Sequence, residues 1–221
     1  MSIHFRRELE RLRTTILEQC ADVERAVADA ARAFLERDPE RAALVIGGGG
    51  PVNGRAREIE DDCLGLLALY QPVAGDLRFI FTAAHISSRL ERIGGLAENL
   101  AKKARSFAPK PALALPPEFA EMAGITCGML TECVEAFIRQ DVGRARAVIA
   151  RDDEVDIRKR RVRQYAESAI MAAPGEAPRW ISVIAAARNL ERVADHSALI
   201  SGEVVYAVEG RVERHEADAE S

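Results

Sequence analysis

Between Ile3 and Phe34, apolar side chains return every three or four residues, at Leu9, Leu12, Ile16, Cys20, Val23, Val27, Ala30 and Phe34. That is the period of a helix with one buried stripe. Ser2 is placed to cap its start, and Asp38-Pro39 both ends it and caps the next helix. The second helix begins at Pro39 but meets Gly47-Gly48-Gly49-Gly50-Pro51, which a regular helix does not traverse cheaply, so a flexible break is predicted there. The pattern resumes near Arg55, runs to Tyr70 and stops in the turn Gln71–Asp76, where Asp76 is predicted to cap a third helix reaching about Ser106. Pro109, Pro111, Pro116 and Pro117 then mark a linker. Three further helices are predicted over Pro117–Gln140, Val142–Met171 and Pro178–Glu209, followed by a polar, frayed end.

The two halves resemble each other. The segment Ala33–Ile46 lies over Ala136–Ile149 with half of its positions identical, including the capping aspartates Asp38 and Asp141. Further on, Leu90-Glu91-Arg92-Ile93 lies over Leu190-Glu191-Arg192-Val193. Self-similarity of this length indicates a duplicated unit. The predicted fold is therefore all-α, a tandem repeat of two three-helix bundles with six helices. Its boundaries are a first repeat over 1–107, a proline-rich linker over 108–117, a second repeat over 118–210 and a polar tail over 211–221.

Composition narrows the function classes. The 221 residues are 48% hydrophobic but only 5% aromatic, and 31 Lys and Arg against 35 Asp and Glu leave a net charge of −4. Such a balance gives no overall field for drawing in nucleic acid or an anionic membrane. No apolar run approaches the length that spans a bilayer, and the charged start has no export signal, so a cytoplasmic protein is expected. Cys20, Cys63, Cys127 and Cys133 form no C-x-x-C pair. They read as buried free thiols rather than a disulfide framework, a zinc site or a redox pair of Cys127 with Cys133.

Glu191 and Asp195 are one helical turn apart on one face, and such a pair repels unless a cation is shared. A second acidic group, Asp152-Asp153-Glu154 with Asp156, lies on the preceding helix of the same unit. Antiparallel packing would bring both groups to one patch, where oxygen ligands suit hard cations such as iron(III), manganese, magnesium or calcium.

These residues carry a family resemblance. Leu190-Glu191-Arg192-Val193-Ala194-Asp195-His196 resembles the L-E-R-[IV]-[GA]-D-H signature of the PhoU family of phosphate-signalling proteins, and Gln71-Pro72-Val73-Ala74-Gly75-Asp76-Leu77-Arg78 resembles a turn in its first repeat. Glu203-Val204-Val205-Tyr206 is similar to the end of that family's last helix. The resemblance implies a regulatory adaptor, not an enzyme. Such an adaptor negatively regulates phosphate uptake by coupling a Pst-type ABC transporter, through its ATPase, to a PhoR-like histidine kinase. It also implies a homodimer or higher oligomer, at most peripheral to the membrane through the transporter, and a metal held by surface carboxylates: iron, manganese, magnesium, zinc or calcium. Glu191 and Asp195 match the metal motif, with Asp152, Asp153 and Asp156 beside them.

The first repeat departs from that pattern. Gly95 replaces the motif aspartate, and Gly49, Gly50 and Asn53 stand where the second repeat has Asp152, Asp153 and Asp156. Glu91 and Asn99 remain as a degenerate site. One competent metal site, in the second repeat, is expected.

Other features are weaker. Gly47–Gly50 lacks the G-K-[ST] of a phosphate-cradling loop. The basic run containing Arg158, Arg160 and Arg161 has no interleaved aromatic residue to stack bases, which leaves charge balancing along its helix or an acidic partner surface. A ferritin-like di-metal enzyme would use Glu-x-x-His, and no Glu here has His three residues on. Trp180 and Phe79 are predicted core residues, and His196 sits about 100° round the helix from Asp195. A regulator of another phosphate carrier would share the fold and change only the partner.

Overall fold

The computed structural model describes residues 3–210. Ser2, His215 and the tail over 211–221 lie outside the described residues. Among them the chain forms eight α-helices and no strand: α1 (Ile3–Glu36), α2 (Pro39–Gly47), α3 (Gly49–Tyr70), α4 (Ala74–Phe107), α5 (Pro117–Arg139), α6 (Val142–Ala150), α7 (Asp152–Ala172) and α8 (Ala177–Glu209). Each short helix, α2 or α6, runs into the next with a one-residue break, so the count is six when each broken pair is taken as one.

The same joint is built twice. Arg37 and Gln140 end α1 and α5 in the left-handed region, with φ of 58° and 53°. The Asp38 and Asp141 amides then donate to Ala33 O and Ala136 O, both at 2.9 Å. The aspartate side chains cap the next helices: Asp38 accepts from the amides of Glu40 and Arg41 at 3.0 and 2.9 Å, and Asp141 from that of Arg144 at 2.9 Å.

The breaks correct the sequence reading. Gly48 (φ −88°, ψ 0°) and Arg151 (φ −83°, ψ −7°) adopt nearly the same conformation at equivalent positions. Glycine is therefore not the cause, and the helix predicted as continuous over 142–171 breaks as well. The glycine run is not a long flexible gap either. Gly49, Gly50 and Pro51 form the first turn of α3, where proline has no intrahelical amide bond to lose. Asp76 likewise lies inside the first turn of α4, whose capping position is Val73.

Helices α1, α4, α5 and α8 form the centre, with α4 against α8 and α1 against α5 joining the repeats, while α2–α3 and α6–α7 flank them. One contiguous apolar core runs through both repeats. Phe34 of α1 stacks between Phe107 of α4 and Phe119 of α5, with ring centroids 5.0 Å away on each side. Phe79 stacks on Phe137 at 5.9 Å and Trp180 is buried, as expected of core aromatics. The first half of the segment between α4 and α5 is pinned from two sides: the Arg37 guanidinium donates to Ala108 O and that of Arg179 to Pro111 O. All four cysteines are free, and burial pushes the Cys20 and Cys63 thiols up to about 12.

Candidate functional site

Helices α7 and α8 pack side by side, and their facing surfaces carry the acidic residues. Asp152 and Asp156 are one turn apart on α7, as Glu191 and Asp195 are on α8, so each pair presents its carboxylates on one face. Asp195 lies within electrostatic reach of the other three. Half-buried, its carboxyl is pushed up from 3.8 to about 7, first by loss of water and then by the charges of Glu191, Asp152 and Asp156.

A cation already sits among them. The Lys159 ammonium donates to Glu191 Oε1 across the α7–α8 seam and to Asp156 Oδ1 at 3.3 Å. Burial works against its charge, but the bonds and charges of Glu191 and Asp156 outweigh that and raise its pKa. Lys159 lies three residues beyond Asp156, on the same helical face. Although it lies within the basic run around Arg158, Arg160 and Arg161, Lys159 serves the acidic cluster.

The other expected residues divide. Asp153 is exposed, one residue round α7 from the Asp152–Asp156 face. His196 turns away from the cluster. Its Nδ1 has no partner among the described residues, and burial followed by the charges of Arg89, Arg92 and Arg192 depresses it to about 4, so it is neutral at physiological pH. Arg158 is tied across to α5, its Nε donating to Glu121 Oε2 at 3.2 Å, while Arg160 and Arg161 are exposed. Charge balancing thus runs between helices rather than only along one.

In the first repeat the equivalent place is a cavity of about 430 Å³, lined by Gly49, Asn53 and Gly95 with Glu98. A Cβ at Gly95 would meet nothing within 4 Å. Glu91 and Asn99 do not line it: Glu91 faces a different cavity, and Asn99 is exposed two turns further along α4. The structure does not bring these two together as a site.

The PhoU domain model matches residues 16–104 and again 119–204, one match per repeat. The chain belongs to the PhoU family. A phosphate-specific transport system accessory protein PhoU homolog of Aquifex aeolicus is 32% identical over 210 residues, covering 95% of each chain. The PhoU protein of Escherichia coli is 28% identical, over 97% of this chain and 89% of that one. The crystal structure of PhoU from Pseudomonas aeruginosa superposes with a TM-score of 0.91 at 31% identity, covering 94% of this chain and all of that one.

The PhoU resemblance implies a metal, and the donors in the second repeat suit one: four carboxylates, no thiol, and an ammonium standing where a cation would be attracted. They do not yet form a coordination shell. Among the described residues, no three His, Cys, Asp or Glu side chains are disposed to hold an ion together. An ion would have to displace Lys159, whose flexible side chain is one-third exposed.

Proposed function

We propose that this chain is a PhoU-type regulatory adaptor that restrains phosphate uptake and phosphate-starvation signalling, linking the ATPase of a Pst-type transporter to a PhoR-like histidine kinase. The family match to both repeats carries this reading, supported by full-length relatives named as accessory proteins of the phosphate-specific transport system. No helix of the described residues is long and apolar enough to cross a membrane, which suits a cytoplasmic protein docking on a transporter as a homodimer or higher oligomer. The exposed Arg160 and Arg161 on α7 supply basic groups for an acidic partner surface.

The adaptor holds a metal ion in its second repeat, through Glu191 and Asp195 with Asp152 and Asp156. Oxygen donors favour iron, manganese, magnesium or calcium over zinc. Asp153 is off the shared face, and the first repeat, with glycine at three of the matching positions, holds none.

Deleting the gene in its native cell with phosphate in excess tests the adaptor role. Alkaline phosphatase output and phosphate uptake should rise and fall back on complementation; unchanged output would refute it. Elemental analysis tests the metal: Glu191→Gln/Asp195→Asn should lose bound ion and Glu91→Gln should retain it. Equal loss from both variants would exclude a single site, and no ion in the wild type would leave the carboxylates as surface charge balanced by Lys159.

A further inference from the structure

A groove of about 310 Å³ runs between the start of α1 and the second half of α3, sharing no residue with the acidic cluster or the glycine-lined cavity. Leu66, Leu69 and Tyr70 give it an apolar floor, and the carboxylates of Glu8, Asp61 and Asp62 border it. Tyr70 is held against Phe5, with ring centroids 5.2 Å apart, so this wall is fixed. Leu69 at the groove and Val73 in the turn beyond it are 77% and 76% exposed. Single exposed leucines are ordinary, but these adjoin a concavity that no described residue fills.

Charge decides what suits the groove. From Glu58 to Leu77 the chain carries five carboxylates and no Lys, Arg or His, whereas the corresponding stretch of the second repeat, Arg161–Trp180, carries three arginines and two glutamates. Arg11 reaches across from α1, but it is engaged by Glu58 at 3.2 Å and stands 3.9 Å from Asp62. Glu8 and Asp61 form no ion pair among the described residues. Asp62 registers the excess: burial raises its pKa, Arg11 opposes the rise, and the charges of Glu58, Glu8 and Asp61 add to it. These carboxylates are not disposed to hold a metal ion together, and their sign repels nucleic acid and anionic lipid. A cation on an apolar stem meets both demands, because Lys and Arg lay their methylenes along apolar surface and keep the charge at its edge.

We infer that the α1–α3 groove is a docking surface for a partner protein and takes a lysine or arginine flanked by apolar residues, its stem on Leu66, Leu69 and Tyr70 and its charge beside Glu8, Asp61 and Asp62. The second repeat has arginines at the corresponding place, so each chain engages such a segment once. The groove lies on the opposite repeat from Arg160 and Arg161, and its role does not rest on the adaptor reading or on the metal.

Cross-linking in the native cell tests this, with the full chain carrying the photoreactive residue p-benzoylphenylalanine in place of Leu69 or, as the control, of the exposed Ala172 at the corresponding place on α7. An adduct from the first variant and not from the second is expected, mapped by mass spectrometry to a segment of another protein with Lys or Arg between apolar residues. That segment, made as a labelled peptide, should bind the purified full chain more weakly as salt is raised. Glu8→Gln/Asp61→Asn should weaken binding at least about fivefold, as for two partly exposed charge contacts, with an unchanged far-ultraviolet spectrum, and Glu40→Gln, exposed on α2, should not. No adduct, equal adducts from both variants, an adduct to a second copy of this chain or to an acidic segment, or binding indifferent to the double variant or to salt overturns the assignment. If the cross-link forms while gene deletion leaves phosphate signalling unchanged, the adaptor reading fails and the docking surface stands.

Discussion

Replacing Asp195 by asparagine should stabilise the metal-free protein, increasingly as the pH rises from about 4 to about 7. In the folded state the carboxyl titrates at about 7, against 3.8 for an ordinary aspartate. Folding therefore favours its protonated form. Between these values the native state binds a proton that the unfolded chain has released, so stability falls as pH rises and levels off above about 7. At about 1.4 kcal/mol per tenfold, the shift sets an upper bound of roughly 4 kcal/mol. Asp195 is only half-buried, and water screens part of the repulsion, which reduces the expected cost to roughly 2 kcal/mol. Asparagine keeps the shape and removes the charge. Urea unfolding in chelator at pH 5 and pH 8 would show the variant gaining on the wild type, by about 1 kcal/mol or more between the two conditions. A variant no more stable than the wild type at pH 8, or an advantage that is the same at both pH values, would refute the crowding of four carboxylates inferred from the structure.

Three more outcomes follow from the same geometry. Lys159→Met removes the ammonium that competes for Asp156 and Glu191, so manganese should bind the variant about tenfold more tightly in titration calorimetry, and equal affinity would show that Lys159 does not compete. Gly95→Ala adds a methyl group in open space within α4 and should stabilise by roughly 0.5–1 kcal/mol in urea unfolding, whereas Gly94→Ala, whose Cβ would stand 3.2 Å from Val52 Cγ1, should gain nothing. Asp38→Ala should cost about 1 kcal/mol, and Asp141→Ala a similar amount, since each aspartate caps its helix; a thermal scan showing no loss for either would deny the caps a role.

Much of the fold was legible because the signals were local and occurred twice. Asp38 and Asp141 announced their helices through capping chemistry, and the apolar periods located the core faces of α1 and α4. The break at Arg151 was not legible. Nothing in its side chain disfavours a helix, and its conformation is recognisable only as the counterpart of Gly48, so it reflects how the duplicated unit packs. The acidic cluster was found from spacing, because Glu191 and Asp195 share a face by helical geometry. The same geometry carried two unread signals: Asp153 is one residue off that face, and Lys159 is on it.

The single core shared by the repeats has a further consequence. Phe34, Phe107 and Phe119 come from both sides of the linker, so a half-length fragment would expose an aromatic surface that the whole chain hides. The halves are thus bound like subunits of an obligate dimer that cannot dissociate, and unfolding should be one event rather than two. Fusion of that kind relaxes what each copy must keep. One half can carry glycines where its twin crowds carboxylates against one another, because the stability of either is borne by the interior they hold in common.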